Sequence, residues 1–417
     1  MRFELFSWLL NNDGLPNGCD PALRNQGWGF SYAFAPYISQ ILAAYFVKLL
    51  CFFGVSNSLC LFFGRSVSGL FICGYTIFVI LISRRLFKYN CYRWVFISLC
   101  TLLPQILYLG GYINNDSFSL FCVSFIVFCW LYGLDKSWNV SSCILLGLSN
   151  GLCLLSYYFA YGYLLCSAIV FIWSSFINKY SFKDFILKAL LVFTVAFCVS
   201  GWFFIRNYII YNGDFLGLKT PFELSSLYAV DNLKPQNRVK LYQSGISLIT
   251  MLFGPYSWLS MTIESFIGKF GYMTVLLPYK LSVPLLLIYF VGCFGIVFTA
   301  VVNRRCMIKN QPKFLDYDLV DNKFSNYRIL ILTVFLISIS IPFVVSIIYS
   351  YFFDFSPQGR YIITISIPLF YMLTIGIRNV LNSLFAKKWQ TRTICFTICF
   401  ILIIVAVFSV RYIIYSL

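Results

Sequence analysis

ILILTVFLISISIPFVVSIIYS, residues 329–350, contains no charged side chain and is as long as a membrane crossing. A helix rises about 1.5 Å per residue, so about 20 apolar residues cross the ~30 Å hydrocarbon layer. Outward from this stretch, runs of the same kind lie at 361–377 and 393–412 on its C-terminal side. On its N-terminal side they lie at 61–83, 92–109, 117–134, 140–157, 159–177, 187–210 and 281–302, each bounded by charges or by Gly, Pro and Asn. The run 37–53 is shorter and carries Lys48, which suits a helix lying along the interface. The pattern predicts an all-α polytopic membrane protein of about ten spans.

Composition agrees. Of 417 residues, 60% are hydrophobic and 11% charged, whereas a soluble chain carries about 25% charged residues. With no histidine in the chain, His-based metal sites, Ser-His-Asp triads and HExxH zincins are excluded. The net charge of +17 would suit a nucleic-acid partner only if the basic residues formed a patch, and here they form short clusters between apolar runs. That spacing marks positive-inside loops and no nucleic-acid site. Most of the sixteen cysteines sit inside apolar runs and none forms a CxxC pair, so they read as small polarizable fillers.

One alternation of the spans collects every basic cluster on one side. The clusters are Arg84, Arg85, Lys88 and Arg93; Lys136; Lys179 and Lys183; Arg304, Arg305, Lys309, Lys313, Lys323 and Arg328; and Arg378, Lys387, Lys388 and Arg392. The intervening short loops carry no Lys or Arg except Arg360. The first span must then run inward, which places residues 1–60 outside as an extracytoplasmic loop with an interfacial helix. Residues 61–210 form the first half of the bundle, 211–280 a second extracytoplasmic loop, and 281–417 the second half. The Asp316, Asp318 and Asp321 cluster reads as part of a solvated cytoplasmic loop.

The middles of the expected spans are free of Asp, Glu, Lys and Arg, which counts against an ion-coupled carrier. Asp116, Arg206, Asp214 and Arg360 all fall at outer span ends. An interfacial Arg can hold a phosphate in a bidentate fork while a carboxylate takes a proton from a hydroxyl. Taken singly, such residues also fit snorkelling and helix capping.

Four segments, in order, resemble the GT-C superfamily of glycosyltransferases, particularly the bacterial branches near the protein O-mannosyltransferases and lipid A aminosugar transferases. They are Arg2-Phe3-Glu4 through Asp20-Pro21 and Trp28-Gly29-Phe30; Leu103-Pro104-Gln105 through Asn114-Asn115-Asp116; Gly201-Trp202 through Arg206 to Asp214; and Gln358-Gly359-Arg360-Tyr361. The resemblance implies a GT-C-like helical bundle that moves a sugar from a polyprenyl-phosphate carrier to an external glycan, lipid or protein. The setting implied is a bacterial cytoplasmic membrane with the active face outside. By the same resemblance Asp116, with Asn115, orients the acceptor or binds a divalent cation, and Arg206 and Arg360 hold the donor phosphate. Asp20, Asp214 and Gln358 are further loop candidates. These enzymes carry a catalytic Asp on a first helix that would precede Met1, so the expectation is of a missing N-terminal piece, with Glu4 or Asp13 as stand-ins. A lipid-linked oligosaccharide flippase would instead need a continuous polar path between spans. A non-catalytic scaffold would lack a cavity joining Asp116, Arg206 and Arg360.

Overall fold

The computed structural model describes residues 2–238, 240–271, 273–308, 322–385 and 387–416. The helices are α1 (Arg2–Asn11), α2 (Ile38–Phe52), α3 (Cys60–Leu86), α4 (Asn90–Thr101), α5 (Pro104–Leu109), α6 (Asp116–Asp135), α7 (Val140–Leu154) and α8 (Gly162–Ile177). After them come α9 (Phe182–Ile210), α10 (Lys219–Tyr228), α11 (Leu248–Phe253), α12 (Trp258–Gly268), α13 (Tyr279–Ile308), α14 (Arg328–Phe352), α15 (Ser366–Leu384) and α16 (Lys388–Ser416). Between α12 and α13 a hairpin pairs β1 (Lys269–Phe270) with β2 (Val275–Leu276). Among the described residues eight helical segments are long and apolar enough to cross a membrane, and the chain is an integral multi-pass membrane protein.

Two expected spans take another form. The 92–109 run is broken into α4 and α5, because Pro104 opens α5 and Leu103 before it is extended (φ −63°, ψ 125°). A proline's ring pushes the preceding residue out of the helical region, so the break falls where the sequence places it. The 140–157 run is α7, a helix of 15 residues. The interfacial run is α2, also 15 residues long, with α1 packed beside it.

The core lies around α6 and the 3₁₀ segment Gly359–Ile365 that leads into α15. Sixteen of the 20 residues of α6 are buried, as a helix apolar on all sides requires. The outer helices turn large apolar side chains outward, among them Phe193 on α9, Phe290 on α13, Leu336 on α14 and Phe400 on α16. Lipid tails are as apolar as these side chains, so helix association relies on close packing and interior hydrogen bonds. A Cβ on Gly376 of α15 would sit 1.8 Å from the carbonyl oxygen of Gly292 on α13, so the two backbones nearly touch. Nearby, Asn379 donates to Thr299 Oγ1 at 2.9 Å. Deeper in the bundle, Tyr163 Oη donates to the Thr364 carbonyl at 2.8 Å, and the Tyr75 and Ser366 hydroxyls meet at 3.1 Å.

At the end of the bundle where α3 closes and α4 opens, several side chains cross between elements. There Tyr92 donates to Asn382, Lys188 to the Ser137 carbonyl, and Arg85 lies over the rings of Phe128 and Tyr132. Arg378 departs from the expectation: it belongs to α15 and is buried among Tyr92 and Tyr371, not displayed in a loop. Asp316, Asp318 and Asp321 lie outside the described residues, as do Lys309 and Lys313. At the opposite end the 12–37 segment (loop 1) meets the 110–115 turn, the 155–161 turn and the end of α9.

Candidate active site

Asn115 and Asp116 begin α6 directly beneath loop 1. The Asn115 amide oxygen accepts from Ser39 Oγ at 2.6 Å and Gln40 Nε2 at 2.7 Å, and its nitrogen donates to the Pro36 carbonyl at 2.8 Å. Asn115 therefore ties loop 1 and α2 to α6, and its oxygen is occupied by protein donors. Asp116 follows as the first residue of the helix, 2% exposed, where the helix dipole favours a carboxylate.

Arg360 reaches the same place from the other half of the chain. Its turn is fixed by Gly359, which lies so close to α12 that a Cβ there would stand 2.0 Å from the Phe266 backbone nitrogen. The Arg360 guanidinium lies 5.3 Å from the Tyr361 ring centre and within electrostatic reach of Asp116, Tyr157 and Tyr112. Tyr361 in turn stacks on Phe159, with centroids 4.6 Å apart and planes at 9°. Arg2 completes the group from α1, its guanidinium 5.4 Å from the Tyr32 ring and 5.2 Å from the Tyr157 ring. Arg2 Nη1 and Arg360 Nε are buried without a hydrogen-bond partner among the described residues. A buried guanidinium N–H left unpaired is costly, so both point to an anion or acceptor that completes them. Burial pushes the Tyr112 phenol well above its ordinary range, with Asp116 adding to the effect and Arg360 opposing it, so Tyr112 stays a neutral donor.

Beside this group a cavity of about 160 Å³ is lined by Arg360, Gln358, Lys269, Gln105, Tyr108 and Tyr112, with Ser265, Gly271 and Met273 closing it. The hairpin roofs it: Lys269 N donates to Gln105 Oε1 at 3.2 Å and Gly271 N to Tyr108 Oη at 3.0 Å. Two cations, two amides and two phenols thus converge on one small space, a set suited to an oxyanion in an aromatic-walled site.

The remaining candidates lie elsewhere. Glu4 is exposed on α1, and exposed Asp13 pairs with Lys48 at 3.2 Å. Asp20 caps the turn Pro21–Leu23, accepting from Ala22 N at 2.9 Å. Asp214 accepts from the backbone of Leu218 and Thr220 and from the Thr220 hydroxyl. Burial raises its carboxyl, and these hydrogen bonds together outweigh burial and hold it below 3.8. Arg206 donates through Nη2 to the carbonyls of Pro16 at 2.8 Å and Leu15 at 3.3 Å, with Tyr37 and Tyr211 as its charged-range neighbours. Arg206 thus holds loop 1 through these carbonyls, while its Nη1, like Arg360 Nε, is buried without a hydrogen-bond partner among the described residues.

Asp116 stands beside an arginine, and no group of three or more Cys, Asp or Glu side chains comes together among the described residues. The residues present do not fit a divalent cation. Arg2, Gln105, Tyr112, Lys269 and the Tyr157 and Tyr361 rings join the site without having been singled out from sequence, although Arg2, Gln105, Tyr112 and Tyr361 all lie in the segments that carried the resemblance.

No protein-family model and no curated protein matches the chain. Among solved structures, the apo crystal structure of the Archaeoglobus fulgidus oligosaccharyltransferase aligns with a TM-score of 0.52 at 14% identity, covering 98% of this chain and 51% of that one. The chain has the GT-C fold. A second structure from the same archaeon, its oligosaccharyltransferase in complex with an inhibitory peptide and a dolichol-phosphate, aligns with a TM-score of 0.49 at 12% identity, covering 98% and 50%. The chain spans about half the length of these proteins. Within this fold Asp116 and Arg360 lie in electrostatic reach of each other, at the end of the bundle that carries loop 1.

Proposed function

We propose that this protein is a membrane glycosyltransferase that moves a sugar from a polyprenyl-phosphate donor to an acceptor on the extracytoplasmic face. The observation that carries the reading is the unpartnered, buried Arg360 Nε–H beside buried Asp116, next to an aromatic-walled cavity of a GT-C fold. Arg360 and Lys269 hold the donor phosphate and stabilise the charge that grows on it as the bond from the anomeric carbon to the phosphate oxygen breaks. Asp116 orients the acceptor hydroxyl and takes its proton as the new bond to the anomeric carbon forms. Tyr361, Phe159 and Tyr157 give the sugar flat apolar faces. On the other flank of α12 an apolar groove of about 480 Å³, lined by Leu252, Phe253, Ile263, Ile267, Leu277 and Leu286, offers the isoprenoid chain a path.

The test is transfer of radiolabelled hexose or pentose from synthetic polyprenyl-phosphate donors by the protein in lipid nanodiscs, with membrane extract as the source of acceptor. Transfer should occur and fall about 10²- to 10⁴-fold in Asp116→Asn, the range for loss of a general base. Saturable donor binding without any transfer, or transfer indifferent to Asp116→Asn, would refute the assignment.

A further inference from the structure

Sixteen cysteines read from sequence as apolar fillers, and Cys100, Cys122, Cys129 and Cys153 are buried as such. Two others are placed differently. Cys51, in the last turns of α2, and Cys60, the first residue of α3, bring their Sγ atoms to 3.5 Å across the connection 53–59. Both are only partly buried and both are free thiols. A disulfide sulfur pair stands at about 2 Å, so small side-chain rotations close the gap.

The pair lies at the end of the bundle that holds the candidate site. The start of α3 packs there, with Gly64 against Phe6 and Ile113, and α2 begins with the Ser39 and Gln40 that bind Asn115. At the opposite end, Cys91 of α4 and Cys395 of α16 are a second pair of neighbouring thiols. The two pairs thus sample the two sides of the membrane. Thiols stay reduced in a mesophile's cytoplasm and oxidise in extracytoplasmic compartments.

We propose that Cys51 and Cys60 form a disulfide that staples α2 to α3, and that Cys91 and Cys395 remain thiols. The inference rests on the reading, made for the proposed function, that the site-bearing end faces out. The oxidant is a disulfide-bearing thiol oxidoreductase of that compartment. One thiolate attacks its disulfide to give a mixed disulfide, and the second thiolate then displaces the carrier. Two thiols lose two protons and two electrons, and the carrier leaves as its dithiol. The staple fixes α2, whose other end holds the Asn115 tie above Asp116.

Trypsin supplies the assay, because Cys51 and Cys60 are the two cysteines of the peptide 49–65, while Cys91 falls in 89–93 and Cys395, together with Cys399, in 393–411. The full chain is taken from membranes of an oxidase-competent host, blocked with N-ethylmaleimide under denaturing conditions, digested and mapped by mass. Peptide 49–65 should appear unalkylated and two hydrogens lighter than the dithiol, gaining two maleimides only after reduction, with 89–93 and 393–411 alkylated. Alkylation of all three peptides would overturn the proposal while leaving the orientation standing. A disulfide joining 89–93 to 393–411, with 49–65 alkylated, would overturn the orientation and the proposal with it.

Discussion

Replacing Gly359 by alanine tests whether the Arg360 turn is set by backbone contact. The new Cβ would stand 2.0 Å from Phe266 N, 2.4 Å from Phe266 Cα and 2.5 Å from the Ser265 carbonyl carbon, all backbone atoms of α12. No rotamer relieves these contacts. To reach the 3.4 Å of ordinary contact from 2.0 Å, the 359–360 turn and α12 must part by about 1.4 Å. Arg360 is the next residue, so its guanidinium moves with the turn relative to Asp116 and Lys269. A misplacement of about 1 Å in a catalytic group can cost about 10²-fold in rate, and overpacking typically costs about 1–3 kcal/mol of stability. Gly359→Ala should therefore lower kcat for sugar transfer about 100-fold while leaving a folded, monodisperse protein of somewhat lower Tm. Transfer kinetics in nanodiscs, set beside thermal unfolding of the same preparation, separate the two effects. A variant with unchanged Tm and wild-type kcat/KM would refute the claim that this contact positions Arg360.

Arg360→Lys keeps the charge but loses the planar fork, so donor affinity should weaken about tenfold with Tm unchanged. Arg206→Lys should do the reverse, lowering Tm through the lost carbonyl contacts to loop 1 and sparing donor affinity; equal effects in a donor-binding titration would show that the two residues share a site after all. The folded carboxyl of Asp214 is held below 3.8, so its contribution to stability is fully present above that pH and is lost as the pH falls through the folded value. Pepsin cleavage within 211–228 should accordingly rise below about pH 4, and Asp214→Ala should be cleaved as readily at higher pH; a pH-independent wild type would count against it. Gly376→Val should abolish the monodisperse peak in size-exclusion chromatography, whereas Gly69→Ala, whose Cβ would meet nothing closer than 3.6 Å, should leave it intact.

The sequence was informative along the membrane normal and poor around it. Runs of apolar residues located the legs of the bundle, and the charges at their ends placed Asp116, Arg206 and Arg360 at one level. Whether three residues at one level meet depends on which way each helix faces, and for helices such as α6, apolar on every side, hydropathy carries no such direction. Asp116 and Arg360, 244 positions apart, come within electrostatic reach because Asn115 and Gly359 anchor their turns. Arg206 is directed by α9 at the Leu15 and Pro16 carbonyls. Pro104 breaks the helix inside the apolar run 92–109, which length and hydropathy alone present as one span. Lys269 was hidden for another reason: it sits in a long loop of mixed charge, where only the hairpin's docking onto Gln105 and Tyr108 reveals its neighbours.

The ties that hold loop 1 bear on which way traffic can pass. Side chains from outside it fasten it at several points: Lys48 to Asn12 and Asp13, Asn115 to Pro36, Arg206 to Leu15 and Pro16, Tyr211 to Gly18, and Asn207 to Phe34. The hairpin on the far side of the cavity is held by fewer, to Gln105, Tyr108 and Ser265. Each such bond contributes about 1 kcal/mol net, so the hairpin is the side that swings away more often. Loop 1 is thus the firmer wall of the cavity and the hairpin the looser one. Under the proposed function, Gln105 and Tyr108 would act on transfer twice, once through the groups they present to the cavity and once through the bonds by which they hold the hairpin down.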